Sequence, residues 1–202
     1  MVSYAQSKGL FQWVGKLGAY HCDDLLWVQE KIKHSLGLPR YLLNSLAWSS
    51  TNATYTAYCD AFLQEWGFVW YPALNLAFYS PTPDDNLGGL VNCNDKIFYF
   101  EALCALCALP NTCTYQSETP GCIVIYTDSF NTINIFFLLN VLPSYNILLQ
   151  EAVNLLYKRN HDLPVLHVPK KQNTVADALS HTDFDHTLAL QPNLLIYEFE
   201  PY

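Results

Sequence analysis

Four acidic residues lie in or beside apolar segments, where an isolated charge is costly to bury. Asp60 ends the segment TYTAYC, and Asp128 ends the strongly apolar segment IVIYT. Glu101 lies in a predicted helix whose neighbouring positions at helical spacing are apolar, and Asp177 lies near the start of a later predicted helix. Carboxylates that meet cannot all ionise without a compensating cation, because their repulsion raises at least one pKa. The residue types therefore favour a site for Mg²⁺, which prefers oxygen ligands.

Each acid also has a simpler interpretation when it is taken alone. A single carboxylate at the end of a strand is more often a cap or a turn residue than a catalyst. Asp177 could simply interact with the positive end of a helix. The catalytic interpretation is favoured only for the set, because several such acids in apolar surroundings need a common explanation.

The charge distribution strengthens the case for a cation. The net charge is -8, and residues 51–157 contain nine acids but a single base, Lys96. Such a block cannot neutralise its own carboxylates. Residues 158–171 are basic, with a charge of +3, and these bases flank the segment that leads to Asp177. With ten bases against eighteen acids, the isolated chain is expected to bind nucleic acid only weakly at physiological salt.

Composition indicates an ordered chain with one sizeable core. The 202 residues are 51% hydrophobic and 14% charged, which excludes extensive disorder. No stretch is long and apolar enough to span a membrane, and no secretory signal is visible. An intracellular location, cytoplasmic or nuclear, with free cysteine thiols is the expectation. The Cys104 and Cys107 pair has the spacing of zinc ligands, but its apolar flanks favour core packing.

The elements that must position these acids follow an α/β order. An amphipathic helix is predicted before a polar boundary at residues 49–52. Three strands then form an antiparallel meander, followed by a helix that ends at Pro110, a buried strand, two helices split at Pro143, a short strand, and a helix capped by Asn173. This order implies a mixed sheet with helices packed against it.

Four motifs in this order resemble the ribonuclease H domain of retroelement reverse transcriptases, and most closely that of fungal retrotransposon-like proteins. They are CDA at 59–61, FEAL at 100–103, YTDS at 126–129 and HVPKKQNTVADALS at 167–180. The resemblance implies an α/β ribonuclease H-like fold: a mixed five-stranded sheet, three antiparallel strands first, flanked by helices. It also implies three regions: a helical segment at 1–50 similar to the tail of a reverse transcriptase connection region, the domain at 51–185, and a C-terminal tail at 186–202.

The resemblance further implies a hydrolase that cuts the RNA strand of RNA–DNA hybrids with two Mg²⁺ ions, for which Mn²⁺ would substitute. Its partners would be the hybrid and an upstream reverse transcriptase polymerase region, with no membrane. The implied metal ligands are Asp60, Glu101, Asp128 and Asp177; His167 would assist catalysis; Ser129, Asn131, Lys170 and Lys171 would contact the substrate.

Two positions depart from the resembled pattern and keep other functions open. Phe62 stands where a small residue is usual, and His181 stands where an Arg commonly follows. These departures affect substrate contact more than metal binding. A catalytically inactive remnant or adapter that binds a partner is therefore an alternative, as is another two-metal nuclease of the same fold. His167 could also be an ordinary strand residue.

Overall fold

The structure is a computed structural model that describes Leu26 and residues 53–62, 65–71, 75–81, 93–114, 121–139, 145–159 and 161–199. The chain divides into two units, Met1–Ala47 and Trp48–Tyr202. Only Leu26, which is helical and exposed, is described in the first unit. The amphipathic helix and the connection-like segment predicted for residues 1–50 otherwise lie outside the described residues. All the other described residues belong to the second unit.

The second unit is built on one mixed sheet of six strands. In space their order is β5-β4-β1-β2-β3-β6. β1, β4 and β5 pair in parallel, β3 and β6 also pair in parallel, and β2 runs antiparallel to both of its neighbours. The strands are β1 Tyr55–Ala61, β2 Glu65–Tyr71, β3 Leu76–Pro81, β4 Ile123–Thr127, β5 Val165–His167 and β6 Leu195–Glu198.

Five α-helices and one short 3-10 helix, Lys170–Gln172, accompany this sheet in the described part of the chain. None of these helices is both long and apolar enough to cross a bilayer. The α-helices are α1 Cys93–Thr114, α2 Phe130–Phe136, α3 Asn146–Arg159, α4 Thr174–Ser180 and α5 Phe184–Leu190.

The sixth strand corrects the prediction of a five-stranded sheet and of a C-terminal tail at 186–202. Residues in the supposed tail form most of α5 and all of β6, which pairs with β3 at the sheet edge. Asn75, with φ of 51°, anchors this return: its Nδ2 donates to the Asn193 carbonyl over 2.7 Å. β6 is short and mostly exposed, so its sequence lacks the apolar alternation that marks a strand.

Helix α1 corrects a second prediction, because it passes through Pro110 and ends at Thr114. A proline inside a helix removes one backbone hydrogen bond and clashes with the preceding turn. Here residues 102–109 are all buried, and α1 packs on β1. We attribute the continuation to this packing, which outweighs the local penalty.

One part of the core lies between α1 and the sheet, and a second buried cluster joins Ala77, Ala176, Leu179 and Leu194. Leu109, Ile123 and Ile125 have no exposed surface, and Cys104 and Cys107 are buried beside them. The Cys104 Sγ donates to the carbonyl oxygens of Asp60 and Gly67, both over 3.3 Å. The thiol therefore ties α1 to the two central strands and behaves as a core group.

Candidate carboxylate site

The parallel pairing of β1 with β4 brings two of the predicted acids to the carboxyl ends of these two strands, a place called the site edge below. Tyr58 is in register with Tyr126, so Asp60 and Asp128 follow at equivalent places toward the carboxyl ends of their strands. Carboxyl ends of parallel strands are a common place for binding residues because loops and helix starts converge there. Helix α1 packs on β1 and carries Glu101, and helix α4 packs on β1 and β2 and carries Asp177.

Asp60 is the most enclosed of the four acids, with 9% of its surface exposed. Its Oδ2 lies 2.6 Å from the Ser180 hydroxyl, which is completely buried. Burial raises the pKa of Asp60 to about 6; the Ser180 hydrogen bond opposes this shift, and the charges of Asp128 and Asp177 add to it. Asp60 is thus a buried acid that is neutral in part of its population near pH 6.

Glu101 is half-buried near the middle of α1 and accepts a short hydrogen bond from the Ser129 hydroxyl. Burial raises the pKa of Glu101 to about 7; the Ser129 hydrogen bond opposes the shift, and Asp60 and Asp128 add to it. The charge of Asp128 contributes to the raised pKa of both Asp60 and Glu101, and the charge of Asp60 contributes to that of Glu101, so these carboxylates lie within electrostatic reach of one another.

Asp177 is the one acid of the four that the structure pairs with a cation. The Lys170 Nζ lies 2.9 Å from the Asp177 Oδ1, and 69% of the lysine side chain and 31% of the aspartate side chain are exposed. The hydrogen bond and charge of Asp177 raise the pKa of Lys170, and the charges of Asp60 and Asp128 contribute. The Lys170 ammonium therefore interacts electrostatically with three of the four carboxylates.

The other predicted site residues surround this group in different ways. Ser129 is buried and caps α2 by accepting from the Thr132 backbone N–H, so its hydroxyl has internal partners on both sides. Asn131 is half-buried in α2, and Lys171 is exposed. His167 is exposed at the end of β5 and stacks on Phe130, with ring centroids 4.4 Å apart and an angle of 14° between the planes.

A close contact at Gly67 determines where α4 lies. A Cβ at Gly67 would lie 2.8 Å from the Leu179 Cβ, so only glycine allows this approach between α4 and β2. Asn173 does not cap α4 with its side chain, contrary to the prediction; its Nδ2 donates to the Cys59 carbonyl over 3.1 Å. Cys59 is in the central strand, so this buried bond contributes tertiary anchoring rather than local capping.

Sequence reasoning did not identify Ser180, Asn173 and Gly67 as site residues. Ser180 and Asn173 lie inside the motif that drew attention to Asp177, yet their partners Asp60 and Cys59 are more than a hundred positions away. The only available signal was a small polar residue at each end of an otherwise apolar helix face. Gly67 stands alone in an aromatic strand, which is the usual mark of a close backbone approach.

The donor set suits a divalent cation in kind, although its side chains are turned toward other partners. All four acids offer carboxylate oxygens, the ligand type that Mg²⁺ and Mn²⁺ favour. The raised pKa values of Asp60 and Glu101 reflect a repulsion that a cation would relieve. Within the described residues, however, no three His, Cys, Asp or Glu side chains form a ready-made metal group. Metal binding would require the carboxylates to turn from their hydroxyl and ammonium partners.

Comparison with solved structures identifies the fold. LC11-RNase H1, crystallised in complex with an RNA/DNA hybrid, matches with a TM-score of 0.50 at 15% identity, covering 67% of this chain and 99% of that one. The chain has a ribonuclease H-like fold. RNase H1 from Halobacterium salinarum matches with a TM-score of 0.48 at 19% identity, covering 65% of this chain and 98% of that one. The ribonuclease H-like assignment is one of fold, because identity is low in both matches.

A third solved structure is the N-terminal RNase H domain of a Mycobacterium tuberculosis protein, determined as a fusion with maltose-binding protein. It matches with a TM-score of 0.46 at 14% identity, covering 68% of this chain and 99% of that one. No protein-family model matches the sequence, and no curated protein matches it. The ribonuclease H-like fold therefore rests on three-dimensional structure.

Proposed function

We propose that this chain is a metal-dependent endonuclease that hydrolyses the RNA strand of RNA–DNA hybrids. The observation that carries the proposal is the proximity of the acids at the carboxyl ends of β1 and β4. The charges of Asp128 and Asp177 act on Asp60, and the charges of Asp60 and Asp128 act on Glu101. The raised pKa values of Asp60 and Glu101 support the proposal, because strongly perturbed carboxyl groups are concentrated at functional sites. The four motifs in their order support a place within a retroelement reverse transcriptase.

The four carboxylates are the groups that would hold divalent cations. Bound cations would supply charge for activating a water molecule and stabilising the leaving oxygen of a phosphodiester. The protein's contribution is to place the acids on β1, on α1, directly after β4 and on α4. Ser180 and Ser129 hold Asp60 and Glu101 by single hydrogen bonds, so either carboxylate can turn toward a cation after losing one bond.

Substrate contact is proposed for the exposed groups around the site edge. His167 and Phe130 present a stacked pair of rings next to the α2 start, where a sugar or base could lie against them. Lys170 and Lys171 are exposed and could contact phosphates, while Asn131 offers an amide for a 2′-hydroxyl. Ser129 is proposed to orient Glu101 while it is buried, and to meet substrate only if α2 shifts.

Cleavage of a labelled RNA–DNA hybrid tests the proposal directly. The full chain is assayed with Mg²⁺ or Mn²⁺ beside Asp128→Asn, with double-stranded DNA and double-stranded RNA as substrate controls. Asp185→Asn is the matched control variant, because Asp185 is exposed on α5 and the substitution changes charge by the same amount. Hybrid-specific cleavage that is lost in Asp128→Asn and kept in Asp185→Asn is the expected result.

Failure has a specific meaning in this assay. A folded chain that neither cleaves the hybrid nor gains thermal stability with Mn²⁺ would overturn the enzymatic proposal. It would favour the inactive remnant or adapter. Cleavage of double-stranded DNA or RNA as readily as of the hybrid would instead favour another nuclease of the same fold.

A further inference from the structure

Lys170 provides a cation at the place where the proposed function requires metal ions. It lies in the 3-10 helix after β5, and its Nζ is 2.9 Å from the Asp177 Oδ1. Asp60 and Glu101 are held by neutral serine hydroxyls, so Lys170 contributes a positive charge that those two contacts lack. Its charge is felt by Asp60 as well as by Asp177.

The pair is also placed to open easily. The Asp177 Oδ1 atom is itself buried, but 69% of the Lys170 side chain is exposed. The ammonium is therefore largely hydrated, and water and salt weaken the ion pair from the lysine side. A lysine ammonium is a flexible point charge that can move between acceptors without strict geometry. A substrate phosphate arriving at the site edge offers it a new anion, and a divalent cation offers Asp177 a new partner.

We infer that Lys170 occupies Asp177 in the free protein, competes there with a divalent cation, and is released when it contacts a substrate phosphate. This inference rests on the proposed function. It makes substrate binding and metal binding mutually favourable, because a phosphate that removes the ammonium frees a carboxylate for the cation. The free protein would therefore bind metal less tightly than its four carboxylates allow.

The test compares Lys170→Met with wild type in two binding measurements on the full chain. Mn²⁺ affinity is measured by calorimetry without nucleic acid, and hybrid affinity is measured by fluorescence anisotropy in EDTA. Lys170→Met is expected to bind Mn²⁺ about threefold to tenfold more tightly, because a competing positive charge beside the carboxylates is gone. The same variant is expected to bind the hybrid about twofold to fivefold more weakly.

Two further variants separate charge from side-chain packing. Lys170→Arg keeps the charge, and its Mn²⁺ affinity is expected to equal that of wild type. Lys158→Met removes the same charge from an exposed position on α3 and is expected to leave Mn²⁺ affinity within about twofold of wild type. Melting temperatures without metal establish that each variant is folded.

Opposite shifts in the two affinities of Lys170→Met support the inference. Unchanged or weaker Mn²⁺ binding by folded Lys170→Met would overturn it, while hybrid cleavage by wild type would leave the proposed function intact. Tighter Mn²⁺ binding in Lys158→Met by the same factor would also overturn it, because a general charge effect would then explain the result. A wild-type chain that binds no Mn²⁺ and cleaves no hybrid would overturn both proposals.

Discussion

The four acids form two pairs that differ in how the fold treats them. Asp60 and Glu101, the inner carboxylates, lie on β1 and in the middle of α1, hold neutral serine hydroxyls, and have pKa values raised by burial. Asp128 and Asp177, the outer carboxylates, lie directly after β4 and in the first turn of α4. Asp177 holds the exposed ammonium of Lys170.

The two pairs therefore make different contributions. The inner pair lowers the stability of the metal-free protein, and the outer pair provides the carboxylate that changes its cation. Burial raises the pKa of both inner carboxylates, so they should destabilise the free protein whenever they are charged. Asp177 is partly exposed and its Lys170 partner is largely exposed, so Asp177 can exchange one cation for another at little cost. The same fold therefore contains two buried carboxylates that favour metal binding and, at the surface, an ion pair between Lys170 and Asp177 that a substrate phosphate can open.

The largest expected effect comes from neutralising one acid of each pair. Asp60→Asn and Asp128→Asn should each reduce hybrid cleavage at least about 100-fold, because both remove a proposed metal ligand. Only Asp60→Asn should raise the melting temperature without metal at pH 8, since it removes a buried charge while its amide can donate to the Ser180 hydroxyl. Equal stabilisation by Asp128→Asn would remove the distinction between the pairs.

The next largest effect is expected from a substitution that moves α4, and with it Asp177, away from the inner carboxylates. Gly67→Ala places a methyl group 2.8 Å from the Leu179 Cβ and should push α4, with Asp177 and Ser180, away from β1. We expect the free energy of unfolding to fall by about 1–3 kcal/mol, as overpacking commonly does. Urea denaturation measures this change.

Gly121→Ala is the matched control for this substitution. Its added methyl group would meet the Thr54 Oγ1 at 3.3 Å, a contact that a small shift of one side chain relieves. Its effect is expected to stay below about 1 kcal/mol. A Gly67→Ala protein as stable as Gly121→Ala would show that α4 is not confined by this contact.

The pH dependence of stability should report the inner carboxylates. Asp60 and Glu101 have ordinary pKa values of 3.8 and 4.5, raised in the folded protein to about 6 and about 7. Between these limits the unfolded chain has released protons that the folded chain retains, so stability falls as pH rises from about 4 to about 7. Each pKa unit corresponds to about 1.4 kcal/mol, so shifts of about two units in each group set an upper limit of about 6 kcal/mol on the combined loss. Denaturation at each pH without metal measures this loss.

Mn²⁺ and a double variant sharpen this measurement. Saturating Mn²⁺ should flatten the decline because it stabilises the charged carboxylates. Asp60→Asn combined with Glu101→Gln should flatten it without metal. A decline that persists in the double variant would assign the pH dependence to other groups.

The smallest expected effect comes from the exposed aromatic pair of Phe130 and His167. Phe130 is 67% exposed and stacks on His167, so Phe130→Ala should cost little stability but raise the KM for the hybrid about fivefold. Phe130→Tyr keeps the ring and should keep the KM. Leu188→Ala on α5 is a control for loss of an exposed apolar side chain. A fall in kcat that is larger than the rise in KM would indicate that Phe130 acts in the chemical step and not in substrate contact.

Strongly patterned segments allowed most elements to be predicted from sequence. The buried strand Ile123–Thr127 and the helix Thr174–Ser180 lie where their apolar spacing indicated. The segment around Pro143 was predicted to separate two helices, and α2 and α3 lie on either side of it. These elements were predictable because the hydrophobic periodicity and the residues that end helices and strands indicate the same structure.

The errors occurred where tertiary contacts outweighed local signals. α1 continues through Pro110 because the residues before it are buried against the sheet. β6 exists because β3 offers a free edge and Asn75 anchors the chain beside it, although LIYE is a weak strand sequence. Asn173 looks like a helix cap in sequence, but its amide donates to Cys59 instead.

The sequence by itself determined which residues could do chemistry and on which elements they lie: a carboxylate in the first, third and fourth motifs, and a glutamate on an apolar helix. Their meeting is a tertiary result, because strand pairing and helix packing bring together residues far apart in the chain. The Ser180 hydroxyl reaches Asp60 across 120 positions, and Lys170 reaches Asp177 only because the 3-10 helix and α4 fold together. Local periodicity carries no information about such contacts, since they depend on the register of β1 with β4 and on the space that Gly67 leaves for α4.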